Sequence, residues 1–271
     1  MFKNTSVLKY ILLILIIIIL TIFTQIGGIV YLISILIIKR KKAKYKLKRI
    51  GLFLILYTIT TFLIVPNLAP LFGRKRIAES DKIAANNMFT ILMNRNYVKP
   101  EMNVTLAKIA KGLDKKHKGI KLVYLDAGFP FINGFPLFPH LSHNDGKKID
   151  ISFIYQTKKG DLTNKKTSIS GYGVYTGPKE GEYDQITECE RKGNWQYSFT
   201  RYLSFGRINK EVSFSERGTR DLILEITRQP KVKKLFLEPH LKSRLNLKDL
   251  KIRYHGCQAV RHDDHIHLEL K

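Results

Sequence analysis

An uncharged run of 29 residues, positions 10–38, constrains this chain more than any other feature. About 20 apolar residues suffice for a helix to cross a bilayer, so the run predicts a membrane span. It is too long for a cleaved signal peptide, and no small-residue cleavage site follows it. A second apolar run covers residues 50–72 and contains Pro66 and Pro70 near its end. Together the runs predict a two-helix transmembrane hairpin over residues 1–72.

A basic loop separates the two apolar runs. Eight of its eleven residues, 39–49, are Lys or Arg. Such a run can bind nucleic acid, but between two spans it favours a topology signal, because short basic loops stay in the cytoplasm. The hairpin then predicts a multi-pass protein of a bacterial inner membrane. Both the N-terminus and residues 73–271 are expected on the periplasmic or extracellular side.

The net charge of +25 is unevenly distributed. Residues 1–72 carry ten Lys and Arg and no acidic residue, whereas residues 73–271 carry 37 basic and 22 acidic residues. A domain with this excess is attracted to polyanions such as nucleic acid, anionic lipid headgroups or anionic cell-wall polymer. A nucleic-acid-binding function would depend on charge alone, so no nucleic-acid partner is expected. The oligomeric state is left open.

Residues 73–100 resemble a basic stalk that leads into a helix at about 79–95. The remaining segment, 101–271, is predicted as the folded domain, with helices at 103–116 and 215–228, the second capped by Ser215. Strands are predicted at 119–128, 147–156, 231–238 and 263–270, and irregular hairpins at 157–212. This order predicts an α+β fold with a mainly antiparallel central sheet and flanking helices.

The two cysteines, Cys189 and Cys257, are not spaced like CxxC zinc ligands. In an oxidising compartment they could form a disulfide. Two unrelated buried thiols are an equally good interpretation.

Five of the eight histidines fall in two short segments, 140–150 and 262–267. Each segment adjoins a predicted strand, along which side chains alternate between faces. Asp150 therefore lies opposite the apolar face of its strand, and His265 and His267 lie opposite the apolar face of theirs. If the strands are neighbours, the carboxylate and the imidazoles converge.

A turn at Gly146 would bring His143 back toward Asp150. Two imidazoles and one carboxylate suit zinc, which keeps a fourth position for water in catalytic sites. An isolated HxH or HxxGxxxD motif is a weak signal. The two together, in this order and each on an amphipathic strand, are a strong one.

The segments PHLSHNDGKKIDI and RHDDHIHLEL resemble the signature motifs of penicillin-insensitive murein endopeptidases. These enzymes belong to a wider group with D-alanyl-D-alanine metallopeptidases, lysostaphin-like peptidases and the Hedgehog signalling domain. The group pattern, SxHxxGxxxD followed by HxH, is matched here by His143, Gly146 and Asp150 and then by His265 and His267, while Ser142 stands one position nearer to His143 than the serine of the pattern. The resemblance extends from residue 122 to the C-terminus, and the match is poor at 157–212.

The resemblance implies one Zn2+ ion bound by His143, Asp150 and His267. It also implies that His265 assists the attacking water or stabilises the tetrahedral intermediate. His262 and His140 match further active-site histidines, and His262 is the other candidate for the general base. Lys147 and Lys148 depart from the family pattern, as does the membrane hairpin.

Asp263 and Asp264 either orient these imidazoles or form a solvated acidic turn. Trp195 either lines a substrate groove or packs in the interior. His117 is expected to face solvent, and His240 and His255 have no partner recognisable from sequence.

The predicted function is that of a membrane-anchored zinc peptidase that hydrolyses an amide bond in peptidoglycan cross-link peptides. One alternative is a D-alanyl-D-alanine carboxypeptidase or dipeptidase. Another is a non-catalytic zinc-containing binding module.

Overall fold

The computed structural model describes residues 3–40, 43–138 and 140–271. Lys41 and Lys42 of the predicted basic loop lie outside the described residues. The α-helices are α1 Lys3–Thr24, α2 Gly27–Ile37, α3 Tyr45–Ile59, α4 Val65–Leu68, α5 Met88–Leu92, α6 Pro100–Lys116, α7 Gln185–Arg191, α8 Glu216–Thr227 and α9 Pro239–Arg244. The strands are β1 Lys75–Arg76, β2 Ile83–Ala85, β3 Tyr97–Val98, β4 Leu122–Asp126, β5 Lys148–Ser152, β6 Tyr155–Gln156, β7 Leu162–Thr163, β8 Ser213–Phe214, β9 Val232–Phe236, β10 Ile252–Arg253 and β11 His265–Leu270.

Two helical segments are long and apolar enough to cross a membrane, Val7–Thr24 and Tyr45–Phe72. The second continues from α3 through a π-helical turn, α4 and a 3-10 turn. Most of its side chains and those of α1 are exposed, so neither helix is a buried core helix of a soluble protein.

The candidate span in the first apolar run is shorter than residues 10–38: it covers Val7–Thr24, and α2 is a separate apolar helix that folds against α1. Gln25 adopts a left-handed conformation with φ of 65° at the junction. A Cβ at Gly28 would lie 2.6 Å from the carbonyl oxygen of Ile17, so glycine is needed where α2 approaches α1.

The two ends of α1 contact different parts of the chain. Arg40, just after α2, has its guanidinium carbon 5.7 Å from the ring centre of Tyr10, near the start of α1. At the other end of α1, the Gln25 side chain accepts a hydrogen bond from Phe131 N in the domain (3.0 Å). The N-terminal end of α1 therefore lies beside the basic loop, away from the domain.

The central sheet has the strand order β10-β9-β11-β5-β4-β2. It is mixed rather than mainly antiparallel, which corrects the predicted fold class. Strands β2 and β4 are parallel, and so are β9 and β10, whereas the pairs between β4 and β9 are antiparallel. Each parallel pair is linked through a helical connection, α6 in the first and α9 in the second, as a parallel crossover requires.

The predicted helix at 79–95 is wrong for most of its length. Residues 83–85 instead form β2 at the edge of the central sheet. The following helix, α5, begins after Asn87, which caps it by accepting a hydrogen bond from Phe89 N (2.9 Å). Just after its end Asn94 is left-handed, with φ of 56°. The strand predicted at 147–156 is split into β5 and β6, which belong to different sheets, and the other predicted helices and strands of the domain are present with small shifts of their ends.

The apolar core lies on one face of the sheet, against α6 and α8. Ile149 and Ile151 of β5 and Leu268 of β11 are fully buried in it, together with Leu106 of α6 and Ile223 of α8. The alternation of apolar and polar residues along β5 and β11 thus separates a packed face from a polar face, as predicted.

Cys189 and Cys257 form a disulfide, which resolves the alternatives left open by the sequence. The bond connects α7 to the loop that precedes β11 and thereby fixes one wall of the site.

Candidate metal centre

Strands β5 and β11 are antiparallel neighbours, and their register brings the two histidine segments together. His267 lies directly opposite Asp150, and His265 lies opposite Ser152. Because side chains that face each other across a ladder point to the same side of the sheet, the Asp150 carboxylate and both imidazoles share the polar face.

His143 is brought to this face by a loop that turns at Gly146, where φ is 71°. A Cβ at Gly146 would collide with the buried guanidinium of Arg74, at 2.1 Å from Nη1. Arg74 donates hydrogen bonds to Asp145 O and to Asn133 Oδ1. Since Arg74 follows directly after the second long apolar helix, the loop bearing His143 is held by the end of that helix.

The donor atoms of His143, Asp150 and His267 converge on one point. His143 Nε2 lies 3.1 Å from both Asp150 Oδ1 and His267 Nδ1. His267 Nδ1 lies 2.8 Å from Asp150 Oδ1. Tetrahedral zinc with bonds of about 2.0–2.1 Å holds its ligand atoms roughly 3.3 Å apart, so the triangle is close to the size that a metal ion requires.

The protonation pattern of the three groups also suits a cation. His143 Nδ1 lies 3.1 Å from the carbonyl oxygen of Ala127, which can only accept, so Nδ1 carries a proton. Burial alone would lower the pKa of His143, but Asp150 outweighs it and raises that pKa, so without a metal ion a proton on Nε2 can lie between the ring and the carboxylate. In the neutral ring Nε2 instead offers a lone pair to a metal ion at the same point. These buried residues could therefore hold a metal ion.

Burial favours the neutral form of both Asp150 and His267, but neighbouring charges outweigh it only at Asp150. For Asp150, burial opposes ionisation, but the imidazoles of His143, His265 and His140 outweigh it and hold the pKa well below its usual value. For His267, burial lowers the pKa to about 4 and keeps the ring neutral. An ionised carboxylate and a neutral imidazole are the forms that bind metals.

A hydrogen-bonded layer supports the second oxygen of Asp150. Tyr172 donates its hydroxyl proton to Asp150 Oδ2 (2.8 Å). His140 Nδ1 lies 3.2 Å from the same oxygen and 2.8 Å from Asp126 Oδ2. Asp126 is in turn held in a two-pronged ion pair by Arg95, which offsets the effect of burial and lowers the pKa of Asp126 to about 2. Asp150 is thus fixed with Oδ1 turned to the centre of the triangle.

His265 is oriented by Asp264. Its Nδ1 lies 2.5 Å from Asp264 Oδ1, and its Nε2 faces the metal centre, 3.8 Å from Asp150 Oδ2. Burial alone would lower the pKa of His265, but the carboxylates of Asp264 and Asp150 outweigh it and raise the pKa to about 9. The other oxygen of Asp264 accepts from Gly173 N at 2.7 Å.

Asp263 has a different role from its neighbour. It is fully buried and forms a two-pronged ion pair with Arg261, at 2.6 and 2.5 Å. Its Oδ2 lies 3.8 Å from His240 Nε2, and that nitrogen is hydrogen-bonded to Thr176 O instead. Neither aspartate therefore forms a solvated turn, but only Asp264 orients an imidazole of the site.

His262 lies beside the site without contacting its ligand atoms. Its ring centre is 4.9 Å from that of His265. Burial, followed by the charges of His265 and His267, holds the pKa of His262 well below its usual value, so the ring is neutral. Its backbone N–H donates to Glu238 Oε1 at 2.9 Å.

A cavity of about 470 Å³ opens above the three donor atoms, and we call it the site cavity. Trp195 and Ser142 are exposed on its rim, so the structure favours the groove interpretation of Trp195. His255, which had no recognisable partner in the sequence, also lines the cavity. His117 lies elsewhere and is not free in solvent, because its Nε2 bonds to Asp221 at 2.8 Å.

The sequence pattern did not identify several residues that support the metal centre. Asp126 is the last residue of β4, which is otherwise apolar, a position that could have marked it as a candidate. Arg95 is separated from it by 31 residues and carries no local signal. Tyr172 lies in the segment 157–212, where the sequence shows no periodicity, so nothing in the pattern indicated that it contacts Asp150.

Comparison with known proteins does not assign this arrangement to a family. No protein-family model matches the chain, and no curated protein matches it. The resemblance of the two histidine segments to murein endopeptidases therefore depends on the motifs themselves.

Proposed function

We propose that this protein is a membrane-anchored, zinc-dependent peptidase that hydrolyses an amide bond in peptidoglycan cross-link peptides. The convergence of His143 Nε2, Asp150 Oδ1 and His267 Nδ1 beneath an open cavity carries the proposal. A metal ion held by these atoms supplies a Lewis acid that polarises a carbonyl and makes water acidic. Zinc is the ion that best suits two imidazoles and one carboxylate with a free position.

The residues of the chain contribute orientation and proton transfer. Because Nδ1 of His265 is bonded to Asp264, its Nε2 is the nitrogen that faces the cavity. With its pKa raised to about 9, the ring carries a proton on Nε2, from which it can stabilise the tetrahedral intermediate and donate a proton to the leaving amine. His262, neutral and adjacent, is the candidate acceptor of the proton from the attacking water.

The surroundings of the cavity suit a wall peptide. Trp195 exposes 72% of its surface at the rim, where it offers a flat apolar contact to a substrate. The excess of basic residues in 73–271 attracts an anionic polymer.

The proposed location is the outer face of a bacterial inner membrane. Three observations support it: the basic loop beside the N-terminal end of α1, the domain at the opposite end of the helices, and the disulfide. Short basic segments are retained in the cytoplasm, and disulfides persist outside it.

The test is digestion of purified peptidoglycan by the full chain in detergent, with zinc or with a chelator, followed by mass spectrometry of the products. The full chain is used because the apolar helices bond to the domain, for example Tyr57 through its hydroxyl to Leu92 O at 2.5 Å. We expect fragments cut at a peptide cross-link, lost with chelator and restored by zinc. Release of single D-alanine residues instead would identify a carboxypeptidase.

A matched pair of variants separates the chemistry from the fold. His265→Gln should retain zinc and lower the cleavage rate by about 10²–10⁴-fold, the typical contribution of a positioned acid or base. His117→Gln, on a distant helix end, should leave the rate unchanged. A zinc-loaded, folded protein that releases no fragment from any peptidoglycan would contradict the proposed activity.

A further inference from the structure

A second cavity, of about 500 Å³, lies beside the site cavity, and we call it the apolar cavity. Phe138 and His140 line both cavities, so the two share a wall. Phe23, near the C-terminal end of α1, also lines it, and its ring packs edge-on against Phe138 at 6.3 Å. The apolar cavity therefore reaches from the end of a membrane-type helix to His140, beside the metal centre.

The lining of this cavity is mostly hydrocarbon. Phe89 and Phe205 stand at its mouth with 63% and 70% of their surfaces exposed, and Met93 and Leu203 line the interior. Exposed aromatic side chains around a cavity mark a surface that is covered by an apolar ligand or by lipid. Because Phe23 belongs to α1, the bilayer is the nearest source of such a ligand.

The inner end of the cavity is polar and incomplete. His140 is more than nine-tenths buried, with 8% of its side chain exposed. Its Nδ1 bonds to Asp126, but among the residues that the structure describes none provides a hydrogen-bond partner for its Nε2. A buried polar atom without a partner is costly, so Nε2 is suited to a polar group of a ligand that occupies the two cavities.

We infer that the apolar cavity holds the hydrocarbon chain of a membrane-anchored substrate, whose polar linkage meets His140 Nε2 and whose peptide portion enters the site cavity. This inference rests on the proposed peptidase function and specifies its substrate as a lipid-linked peptide. A chain that moves from the bilayer into an apolar cavity exchanges one hydrocarbon environment for another, so its transfer carries little hydrophobic penalty. The cavity thereby fixes the distance between the anchor of the substrate and the reacting amide.

The experiment uses the full chain in vesicles of phosphatidylethanolamine and phosphatidylglycerol. The probe is N-hexadecanoyl-alanyl-alanine with a photoreactive diazirine at the end of the acyl chain. After irradiation, mass spectrometry locates the cross-links. We expect labelling of Met93, Leu203 or Phe205, above the background on the bilayer-facing sides of the helices.

Two variants with the same new side chain separate cavity binding from general membrane association. Leu203→Trp fills the apolar cavity and should lower labelling of the cavity at least tenfold, with zinc binding retained. Tyr202→Trp changes the adjacent residue, which is exposed and does not line the cavity, and should leave labelling unchanged.

The outcomes distinguish this inference from the proposed function. Labelling confined to the helices, in a protein that binds zinc and cleaves peptidoglycan, would overturn the lipid-linked substrate and leave the peptidase intact. Equal labelling in wild type and Leu203→Trp would overturn it too. Cavity labelling in a protein that cleaves no peptide would support the chain-binding cavity and contradict the peptidase.

Discussion

The two faces of strands β5 and β11 are built from the same alternating pattern but behave differently. On one face Ile149, Ile151 and Leu268 are packed against α6 and α8. On the other, Asp150 and His267 meet at 2.8 Å, with their charges and lone pairs directed at a common point. The first face stabilises the fold through burial of apolar area. The second brings together polar groups that could hold a metal ion, so substitutions on the two faces should affect different measurements.

The largest expected effect is on the polar face. Asp150→Asn removes the charge that the two imidazoles share, and zinc affinity should fall by more than the roughly 100-fold typical for loss of a supporting residue. Isothermal titration of the full chain with zinc measures it. His117→Gln, which alters a histidine far from the site, should bind one ion like the wild type. Unchanged affinity in Asp150→Asn would show that the ion lies elsewhere.

A core substitution should affect stability instead. Leu106→Ala leaves a cavity between α6 and the sheet, and should lower the free energy of unfolding by about 3 kcal/mol. Urea unfolding in detergent and in the presence of chelator measures it without the contribution of the metal. The folded variant should bind zinc as tightly as the wild type. A large loss of zinc affinity in this variant would show that the two faces are not independent.

Removing the hydroxyl that bonds to Asp150 tests how much the polar face depends on its supporting hydrogen bonds. Tyr172→Phe deletes the hydrogen bond to Asp150 Oδ2 and keeps the ring, so zinc affinity should fall by roughly 10- to 100-fold. Tyr124→Phe deletes a comparable bond, to Glu79 at 2.9 Å, on the other side of β4 and should leave affinity unchanged. Equal zinc affinity in both variants would show that the Tyr172 hydroxyl does not support the metal centre.

The smallest effect concerns a lysine buried among apolar groups. Burial lowers the pKa of Lys166 from its usual 10.5 to about 7, and its ammonium nitrogen lies 5.5 Å from the centre of the Tyr155 ring. Because the folded-state pKa is the lower one, the unfolded chain binds more protons between pH 7 and about 10. Stability should therefore rise with pH across this window, and the penalty should be complete below it.

Lys166→Met should accordingly stabilise the protein at pH 6, where the lysine is charged in its buried position. The gain should shrink as the pH approaches 10. Unfolding by urea at several pH values measures this difference. A gain that is constant with pH would mean that the lysine does not titrate in this window.

Much of the site could be predicted because it depends on local alternation. Asp150, His265 and His267 lie on the polar faces of their strands, and the pattern alone places them there. The parallel edges of the sheet could not be predicted, since they depend on crossover helices rather than on strand patterns. Neither could the contact of Tyr172 with Asp150 or that of Arg74 with Gly146, because each joins segments distant in sequence.

The apolar segment 10–38 also contains a helix contact that its sequence pattern did not predict. The absence of charge over residues 10–38 predicted one continuous apolar span, but that criterion gave no weight to Gly27 and Gly28. These glycines allow α2 to fold back on α1. Small residues that permit close approach of helices determine packing in such segments.

Anomalous diffraction at the zinc absorption edge, on crystals of the full chain loaded with zinc, tests the central claim most directly. We predict one peak bonded to His143 Nε2, Asp150 Oδ1 and His267 Nδ1, and none in Asp150→Asn. Zinc-loaded crystals without density between these three atoms would contradict the assignment of the metal centre and, with it, the proposed peptidase.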